Sequence, residues 1–105
     1  MGWKLFLDDW RSPRTPGFIV ARSFEEAIEM VNSQGCAPYH VAFDYDLGGV
    51  DKKTGLDFAL WLIDKDREEG GSFLPERFTF SCHSAAADGK KCIVKLMSKY
   101  LKSLR

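Results

Sequence analysis

Short apolar runs alternate along the chain with longer segments in which apolar residues recur every three or four positions. The short runs are four to six residues long and lie at residues 4–7, 18–21, 39–43 and 77–82. Runs of this length between turn-forming residues are typical of buried strands, whereas the longer segments have helical spacing. We therefore predict the order strand, loop, strand, helix, strand, helix, strand, helix.

The predicted helices carry recognisable start and stop signals. Ser23 and Glu26 form a capping box, in which the serine accepts from the Glu26 N–H and the glutamate side chain reaches back. Gly35 ends this first helix. Thr54 and Asp57 start the second helix in a similar way. The third helix is predicted over residues 90–104.

Each predicted helix has an apolar stripe that indicates its buried face. The stripes are Phe24, Ala27, Ile28 and Val31 in the first helix; Leu56, Leu60 and Ile63, widened by Phe58, Trp61 and Leu62, in the second; and Ile93, Leu96, Met97, Tyr100 and Leu101 in the third.

A breaker-rich segment follows the first predicted strand. Pro13, Pro16 and Gly17 exclude a regular helix between residues 10 and 17. Elsewhere strands alternate with helices, which predicts right-handed crossovers and a small, mostly parallel sheet with helices on both faces. In sheets of this kind, ligands bind beyond the carboxyl ends of the strands.

The composition narrows the class of protein. A chain of 105 residues fits a single domain over residues 1–105, and 45% hydrophobic residues supply a core without help from disulfides or metal. The 15 basic and 15 acidic residues balance, which argues against a strong duplex nucleic-acid binder, although local patches remain compatible with it. The three cysteines lack Cys-x-x-Cys spacing, so we expect reduced, mostly buried thiols. Without a signal-like or membrane-length apolar run, we expect a cytoplasmic protein that does not bind membranes.

Acidic residues follow two of the predicted strands. Asp8 and Asp9 come after the first, and Asp44 and Asp46 come after the third. Because the carboxyl ends of parallel strands share one edge, these four carboxylates should converge, and such a cluster requires a cation or shared protons. Oxygen ligands suit Mg²⁺ first and Mn²⁺ next. Taken singly, each pair is equally typical of turn residues that end a strand.

Further reactive side chains are expected at the same edge. His83 follows the fourth strand and can transfer a proton near neutral pH, or it can be a hydrogen-bonded structural histidine. Ser84 can bind a phosphate oxygen or cap a turn. Arg11 offers a bidentate fork to phosphate. Lys90, at the predicted start of the third helix, is either a phosphate ligand or a solvated lysine.

These residues resemble the motifs of the cyclic-phosphate-processing receiver-like domains, a family similar to degenerate response-regulator receivers. The matching segments are Leu7–Pro13, Phe43–Gly48, Thr54–Gly55 and His83–Ala85. The resemblance implies a three-layer, flavodoxin-like receiver fold with about four strands. It also implies an acidic metal pocket at Asp8, Asp9, Asp44 and Asp46, and a role in processing cyclic phosphates, including those of RNA ends.

The chain departs from the family pattern at several positions. Tyr45 replaces the usual histidine, Ala86 replaces an asparagine, and Lys90 replaces an arginine. If that asparagine positions substrate, these changes would weaken or redirect activity. No fifth strand carries the lysine that completes phosphotransfer in an ordinary receiver, which argues against a phosphorelay role.

Two main hypotheses follow. In the first, a phosphoesterase opens a cyclic phosphate of a nucleotide or RNA end. Asp9 and Asp44 take part in catalysis and metal binding, His83 acts as general acid or base, and Arg11, Ser84 and Lys90 bind the phosphate. In the second, a non-catalytic receiver-like module binds a phosphate or a protein. A carboxylate-dependent nuclease is a third reading, disfavoured by the neutral net charge.

Overall fold

The computed structural model describes residues 2–48 and 52–104 and contains four strands and three helices. They are β1 (Lys4–Leu7), β2 (Phe18–Ala21), α1 (Phe24–Gln34), β3 (His40–Phe43), α2 (Gly55–Glu68), β4 (Thr79–Cys82) and α3 (Ala87–Ser103). Residues 49–51, which include much of the loop predicted before α2, lie outside the described residues. The predicted order of elements is confirmed.

All four strands are parallel, in the spatial order β2-β1-β3-β4. The register aligns Leu5 with Val41, and Val41 with Phe80. The carboxyl ends of β1, β3 and β4 therefore lie side by side at one edge of the sheet. The predicted receiver-like α/β fold, with a four-stranded parallel sheet and flanking helices, is confirmed.

The helix starts follow the local sequence closely. Ser23 accepts from the Glu26 N–H, and Gly35 ends α1 in a left-handed conformation with φ 75°. The Glu26 carboxylate accepts from the N–H of Arg22, one residue before the expected partner, at 3.0 Å. At α2, Thr54 and Asp57 form the complete reciprocal capping box. Local capping chemistry thus fixes both starts.

The buried face of α2 differs from the predicted one. Leu60 is 42% exposed, whereas the buried apolar side chains are Phe58, Ala59, Leu62 and Ile63. Phe58, Leu62 and Ile63 of the predicted set are buried, but α2 has apolar residues on several sides, so their spacing alone did not show that Leu60 faces outward. The actual face is the one that places Phe58 and Leu62 against the sheet.

The third helix begins at Ala87, three residues before the predicted start at Lys90. Gly89 lies inside this first turn and is buried. A Cβ at Gly89 would lie 2.2 Å from Cγ of Tyr45, so only glycine lets the helix start pack on this ring. The long-range contact with Tyr45 explains why a residue that normally breaks helices is found within one.

The core lies on one face of the sheet. It takes Leu5, Leu7, Val41 and Phe43 from the strands, and buried residues from all three helices. The other face, which we call the open face, carries half-buried or exposed side chains: Lys4, Phe6, Phe18, Val20, His40, Thr79 and Ser81. We expected helices on both faces, but the three described helices lie on one.

The loop between β1 and β2 explains this one-sided arrangement. Right-handed crossovers place the β1–β2 connection on the face opposite to α1. That connection contains Pro13 and Pro16, so it crosses as an irregular loop, and it ends with Gly17 against the side chain of Lys4 on the open face. The breakers therefore remove the helix that would cover this face.

A buried carboxylate joins α2 to α3. Asp66 is fully buried, and its Oδ1 accepts from the Leu74 N–H at 2.8 Å. Its Oδ2 accepts from the Tyr100 hydroxyl at 2.5 Å. Burial, with the nearby Asp66 carboxylate, raises the pKa of Tyr100 to about 12.

The cysteines are free thiols, as predicted, but Cys36 and Cys92 are exposed rather than buried. Cys82 is half-buried, and burial raises the pKa of its thiol. Among the described helices, none combines the length and the apolar character that crossing a bilayer requires.

Candidate functional site

The turn after β1 is built around the side chain of Asp8. This carboxylate is completely buried, and its Oδ1 accepts from the N–H groups of Trp10 at 3.0 Å and Arg11 at 2.8 Å. Asp8 is therefore the turn-forming residue that the sequence allowed. Its second oxygen, Oδ2, points to charged partners instead.

Arg11 spans the site from β1 to β3 and β4. Its Nε donates to Asp8 Oδ2 at 2.9 Å, and its Nη2 lies 3.4 Å from Asp44 Oδ1. Its Nη1 donates to the carbonyl of His83 at 3.3 Å. One guanidinium thus links the ends of three strands and partly balances two buried carboxylates.

Asp44 is held at the end of β3 by its own backbone and by the start of α2. Its N–H donates to the Leu7 carbonyl at 3.0 Å, and its Oδ1 accepts from the Tyr45 N–H at 2.9 Å. A Cβ at Gly55 would lie 1.7 Å from the Asp44 carbonyl oxygen. The Thr54–Gly55 pair therefore serves two purposes, because Thr54 caps α2 and Gly55 allows close packing.

His83 approaches Asp8 from the open face of the sheet. One ring nitrogen, Nε2, lies 2.9 Å from Asp8 Oδ2, and the ring stacks on Phe6 with centroids 4.6 Å apart. Because an ionised carboxylate only accepts, Nε2 carries the proton, and Nδ1 is the acceptor of the neutral ring. Phe6 and Asp8 together fix the orientation of the imidazole.

The site electrostatics favour an ionised Asp8 beside a charged arginine. Burial by itself would raise the pKa of Asp8, but hydrogen bonds from the Trp10 and Arg11 backbone and from His83, with the Arg11 charge, lower it. Burial would lower the pKa of Arg11, and the charges of Asp8 and Asp44 raise it. The carboxylate and the guanidinium therefore stabilise each other's charged form.

Asp8, Asp44 and His83 form a group whose potential ligand atoms all lie within 4.8 Å of one another. Asp9 and Asp46 fall outside this group among the described residues, and instead line a cavity of about 380 Å³ next to it. Gly48, at φ 59°, permits this, because a Cβ there would lie 2.8 Å from Asp9 Oδ2. The four carboxylates thus divide into a buried pair, Asp8 and Asp44, and a more exposed pair, Asp9 and Asp46, and Asp44 also lines the cavity.

The cavity brings most of the predicted phosphate ligands together. Arg11, Asp44 and Ser84 contribute to its lining, with Asp9, Trp10, Asp46, Gly48, Ala85 and Ala86. Ser84 also accepts from the Ala86 N–H at 3.1 Å, which is the turn cap that the sequence allowed, and its binding of phosphate stays a prediction. His83 lies behind Asp8 and is not part of the lining.

A family model of the cyclic-phosphate processing receiver domain matches residues 3–99. The chain belongs to this family. No curated protein and no solved structure was found to match it.

Within the cyclic-phosphate processing receiver domain, the three departures of this chain acquire structural meaning. Tyr45 packs on Gly89, and Ala86 is the N-cap residue of α3, where it makes no side-chain cap. An asparagine there would be a favourable cap. The exposed Lys90 lies in α3 and lines a different cavity, with Ala87, Lys91, Val94 and Lys95.

Arg22 is a component of this receiver site that the sequence analysis missed. Its Nη1 donates to the carbonyl oxygens of Arg11 at 2.5 Å and Asp8 at 3.3 Å. Its Nη2 donates to the Ser12 hydroxyl at 3.3 Å. Arg22 thus fixes the backbone of the turn that carries Asp8 and Arg11. Its position between the end of β2 and the cap Ser23 was the only signal available.

Proposed function

We propose that this domain is a phosphoesterase that opens a cyclic phosphate of a nucleotide or of an RNA end with the help of a divalent cation. The observation that carries the proposal is the close group formed by Asp8, Asp44 and His83 beside a cavity lined by Arg11 and Ser84. Membership of a family named for cyclic-phosphate processing supports the substrate class.

The donor set is compatible with a divalent cation. Asp8 and Asp44 are 0% and 3% exposed, and the single positive charge of Arg11 only partly balances them. Two carboxylates suit Mg²⁺ or Mn²⁺. Asp9 and Asp46 would complete the acidic surroundings from the cavity side. When bound, such a cation supplies Lewis-acid polarisation of the phosphoryl group.

The remaining roles belong to side chains of the chain itself. Arg11 and Ser84 would bind the non-bridging oxygens of the phosphate in the cavity. As water attacks phosphorus, a new P–O bond forms and the water gives up a proton to the surrounding solvent or a carboxylate, while one ring P–O bond breaks and the departing ribose oxygen takes up a proton. His83 would give this proton from Nδ1, because Asp8 holds Nε2 and keeps the ring in place. The imidazole is 26% exposed and lies outside the cavity lining, so the departing oxygen would extend past the lining residues to reach it. Lys90 has no role in this proposal because it lines another cavity.

Phosphorus NMR with Mn²⁺ or Mg²⁺ tests the proposal directly. The substrates are nucleoside 2′,3′-cyclic phosphates, 3′,5′-cyclic nucleotides, an ADP-ribose cyclic phosphate and a short RNA with a cyclic-phosphate end. We expect ring opening of at least one substrate, slowed by about 100-fold or more in Asp44→Asn and His83→Ala, in line with the loss of a key polar group.

Asp64→Asn is the matched control, because Asp64 is exposed on α2. It should react at the wild-type rate. An inactive wild-type protein across the whole panel, or full activity in Asp44→Asn, would refute the proposal.

A non-catalytic receiver-like module is the second candidate. The pairing of Arg11 with both buried carboxylates favours it, since the acidic pocket then has a counter-charge from within the chain. Such a module would be stabilised against heating by cation or by phosphate, without turnover of any substrate. Melting curves recorded beside the NMR assay separate the two functions.

A further inference from the structure

We propose that Arg11 makes the binding of a divalent cation and of a phosphate at this site mutually dependent. The inference rests on the proposed function, because it takes the same cavity and the same carboxylates as the binding site. It adds how the two ligands regulate each other. Its basis is the set of oxygens that Arg11 holds.

Arg11 holds the same oxygens that a cation would need. Asp8 Oδ1 is committed to two backbone N–H groups, so a cation would bind Oδ2, which already accepts from His83 Nε2 at 2.9 Å. Arg11 Nε lies 2.9 Å from this Oδ2, and Arg11 Nη2 lies 3.4 Å from Asp44 Oδ1. A cation at ligand distance from these oxygens would repel the guanidinium. The two positive groups are therefore alternatives at one place.

Within the group of Asp8, Asp44 and Arg11, apart from the more exposed Asp9 and Asp46 of the cavity lining, the charges balance only when both ligands are present. Asp8 and Asp44 together carry two negative charges, and Arg11 carries one positive charge, which leaves one negative charge in a buried pocket. A divalent cation on the carboxylates neutralises them and leaves Arg11 without an anionic partner, although its Nη1 can still donate to the His83 carbonyl. A cyclic phosphate diester, with one negative charge, then pairs with Arg11 and makes the whole group neutral.

Arg11 is free to change partners while its backbone stays fixed. Its N–H donates to Asp8, and its carbonyl accepts from Arg22 at 2.5 Å. The side chain is 32% exposed, reaches the cavity lining and has its guanidinium carbon 5.5 Å from the exposed ring of Trp10. A rotation of the side chain thus moves the guanidinium from the carboxylates to a phosphate in the cavity.

The consequence is a positive coupling between the two ligands. Without phosphate, the cation must displace Arg11 from its carboxylates, which weakens apparent cation affinity. Without cation, the phosphate must compete with those carboxylates for Arg11. Each ligand therefore tightens the binding of the other by the same factor.

Calorimetric titration of the full chain with Mn²⁺, alone and in excess dimethyl phosphate, tests this coupling. Dimethyl phosphate is a stable monoanionic diester that cannot undergo ring opening. For the wild type we expect Mn²⁺ to bind at least about fivefold more tightly in its presence, the lower range of measured coupling. For Arg11→Gln we expect tighter Mn²⁺ binding than in the wild type and no effect of dimethyl phosphate.

Two further variants protect the test from trivial explanations. Arg11→Met keeps the apolar stem and should behave like Arg11→Gln, with folding of each variant checked by its melting curve. Arg14→Gln changes an exposed arginine of the same loop and should keep the wild-type coupling. Mn²⁺ binding that is detected in Arg11→Gln but is too weak to detect in the wild type would also support the proposal. Weaker or unchanged Mn²⁺ affinity in both Arg11 variants, or no binding in any protein, would overturn it.

A second measurement follows Arg11 itself. Its Nε–H, bonded to Asp8, should give a protected signal in nitrogen–proton correlation spectra that loses protection when Mg²⁺ is added. A signal unchanged at saturating Mg²⁺ would show that the pairing persists and would contradict the proposal. Neither experiment depends on turnover, so the coupling can hold in a domain that opens no cyclic phosphate, and it can fail in one that does.

Discussion

Two carboxylates, Asp8 and Asp66, are fully buried, and different kinds of hydrogen-bond donor stabilise them. Asp8 lies at the end of β1 and accepts from the backbone N–H groups of Trp10 and Arg11 and from the side chains of Arg11 and His83. Asp66 lies within α2 and accepts from the Leu74 N–H and the Tyr100 hydroxyl, which are neutral donors. Both side chains are 0% exposed.

The difference between them teaches what marks a functional acid. The partners of Asp66 belong to the core, and its bonds join α2 to the segment after it and to α3. The side-chain partners of Asp8 are the basic residues Arg11 and His83, and Arg11 reaches a cavity open to small molecules. Burial is common to both, so the charge of the partners and the access to a cavity distinguish the candidate site.

The largest stability effect is expected at the structural carboxylate. Asp66→Ala leaves the Leu74 N–H and the Tyr100 hydroxyl without an acceptor, and we expect a loss of about 3 kcal/mol in the free energy of unfolding. Urea denaturation at neutral pH measures it. Asp64→Ala, at an exposed position of the same helix, should change stability by less than about 0.5 kcal/mol. Equal stability of the two variants would show that the buried hydrogen bonds of Asp66 do not stabilise the fold.

We expect the ionisation of Tyr100 to lower the free energy of unfolding at alkaline pH. Its pKa rises from the usual 10.0 to about 12 on folding, so this stabilisation is present below pH 10 and is lost between pH 10 and pH 12. Two pKa units correspond to about 2.7 kcal/mol. Urea titrations up to pH 12 should show a smaller loss in Tyr100→Phe than in the wild type. The exposed Tyr39 offers the control, since Tyr39→Phe should retain the wild-type loss.

We expect the protonation of Asp8 to lower the free energy of unfolding at acid pH. Its pKa is lowered on folding, so its ion pairs stabilise the fold above its usual value of 3.8, and this contribution is lost as the pH falls below that value. Asp8→Asn should be less stable than the wild type at neutral pH, with the difference shrinking in acid. Chemical denaturation at a series of pH values measures it. A difference in stability that is the same at all pH values would contradict the expectation. As a control, Asp46→Asn, at an exposed carboxylate, should have the stability of the wild type at every pH.

The smallest effect is expected at the missing asparagine. Ala86 is the uncapped N-cap of α3, so Ala86→Asn should stabilise the domain by about 1 kcal/mol in thermal melts. Ala85→Asn, one residue before the cap, should bring no such gain. Higher stability with unchanged turnover would identify the asparagine as a cap in relatives, whereas higher turnover would assign it to substrate positioning.

Local signals in the sequence predicted most of the fold. β1 and β2 have their predicted bounds, and Ser23 and Thr54 cap helices as expected, because each depends on a few neighbouring residues. The start of α3 was wrong because Gly89 is stabilised in a helix by the distant ring of Tyr45. Pro13 and Pro16 indicated that no helix forms between β1 and β2. That this leaves one face of the sheet without a helix becomes clear only from the order of the strands.

The candidate site was predictable to a similar extent. Parallel strand ends predicted that Asp8, Asp9, Asp44 and Asp46 would converge at the edge that also holds His83, because topology alone fixes where a strand finishes. Of these residues, Asp8, Asp44 and His83 form the close group. The topology does not fix where a long side chain points. The bridge made by Arg11 and the support given by Arg22 depend on the path of an irregular loop, so no pattern in the sequence reveals them.

The stacking of His83 on Phe6 gives the protein a spectroscopic label of its own. The two rings are nearly parallel, with an interplanar angle of 5°, so the ring current of Phe6 shields the imidazole protons of His83 and moves their resonances upfield. His40, the other of the two histidines, meets Phe18 edge to face at 66°, with centroids 6.1 Å apart, so its protons experience a different ring-current shift. Their signals should therefore separate in a proton spectrum of unlabelled protein, and one of them observes the site directly.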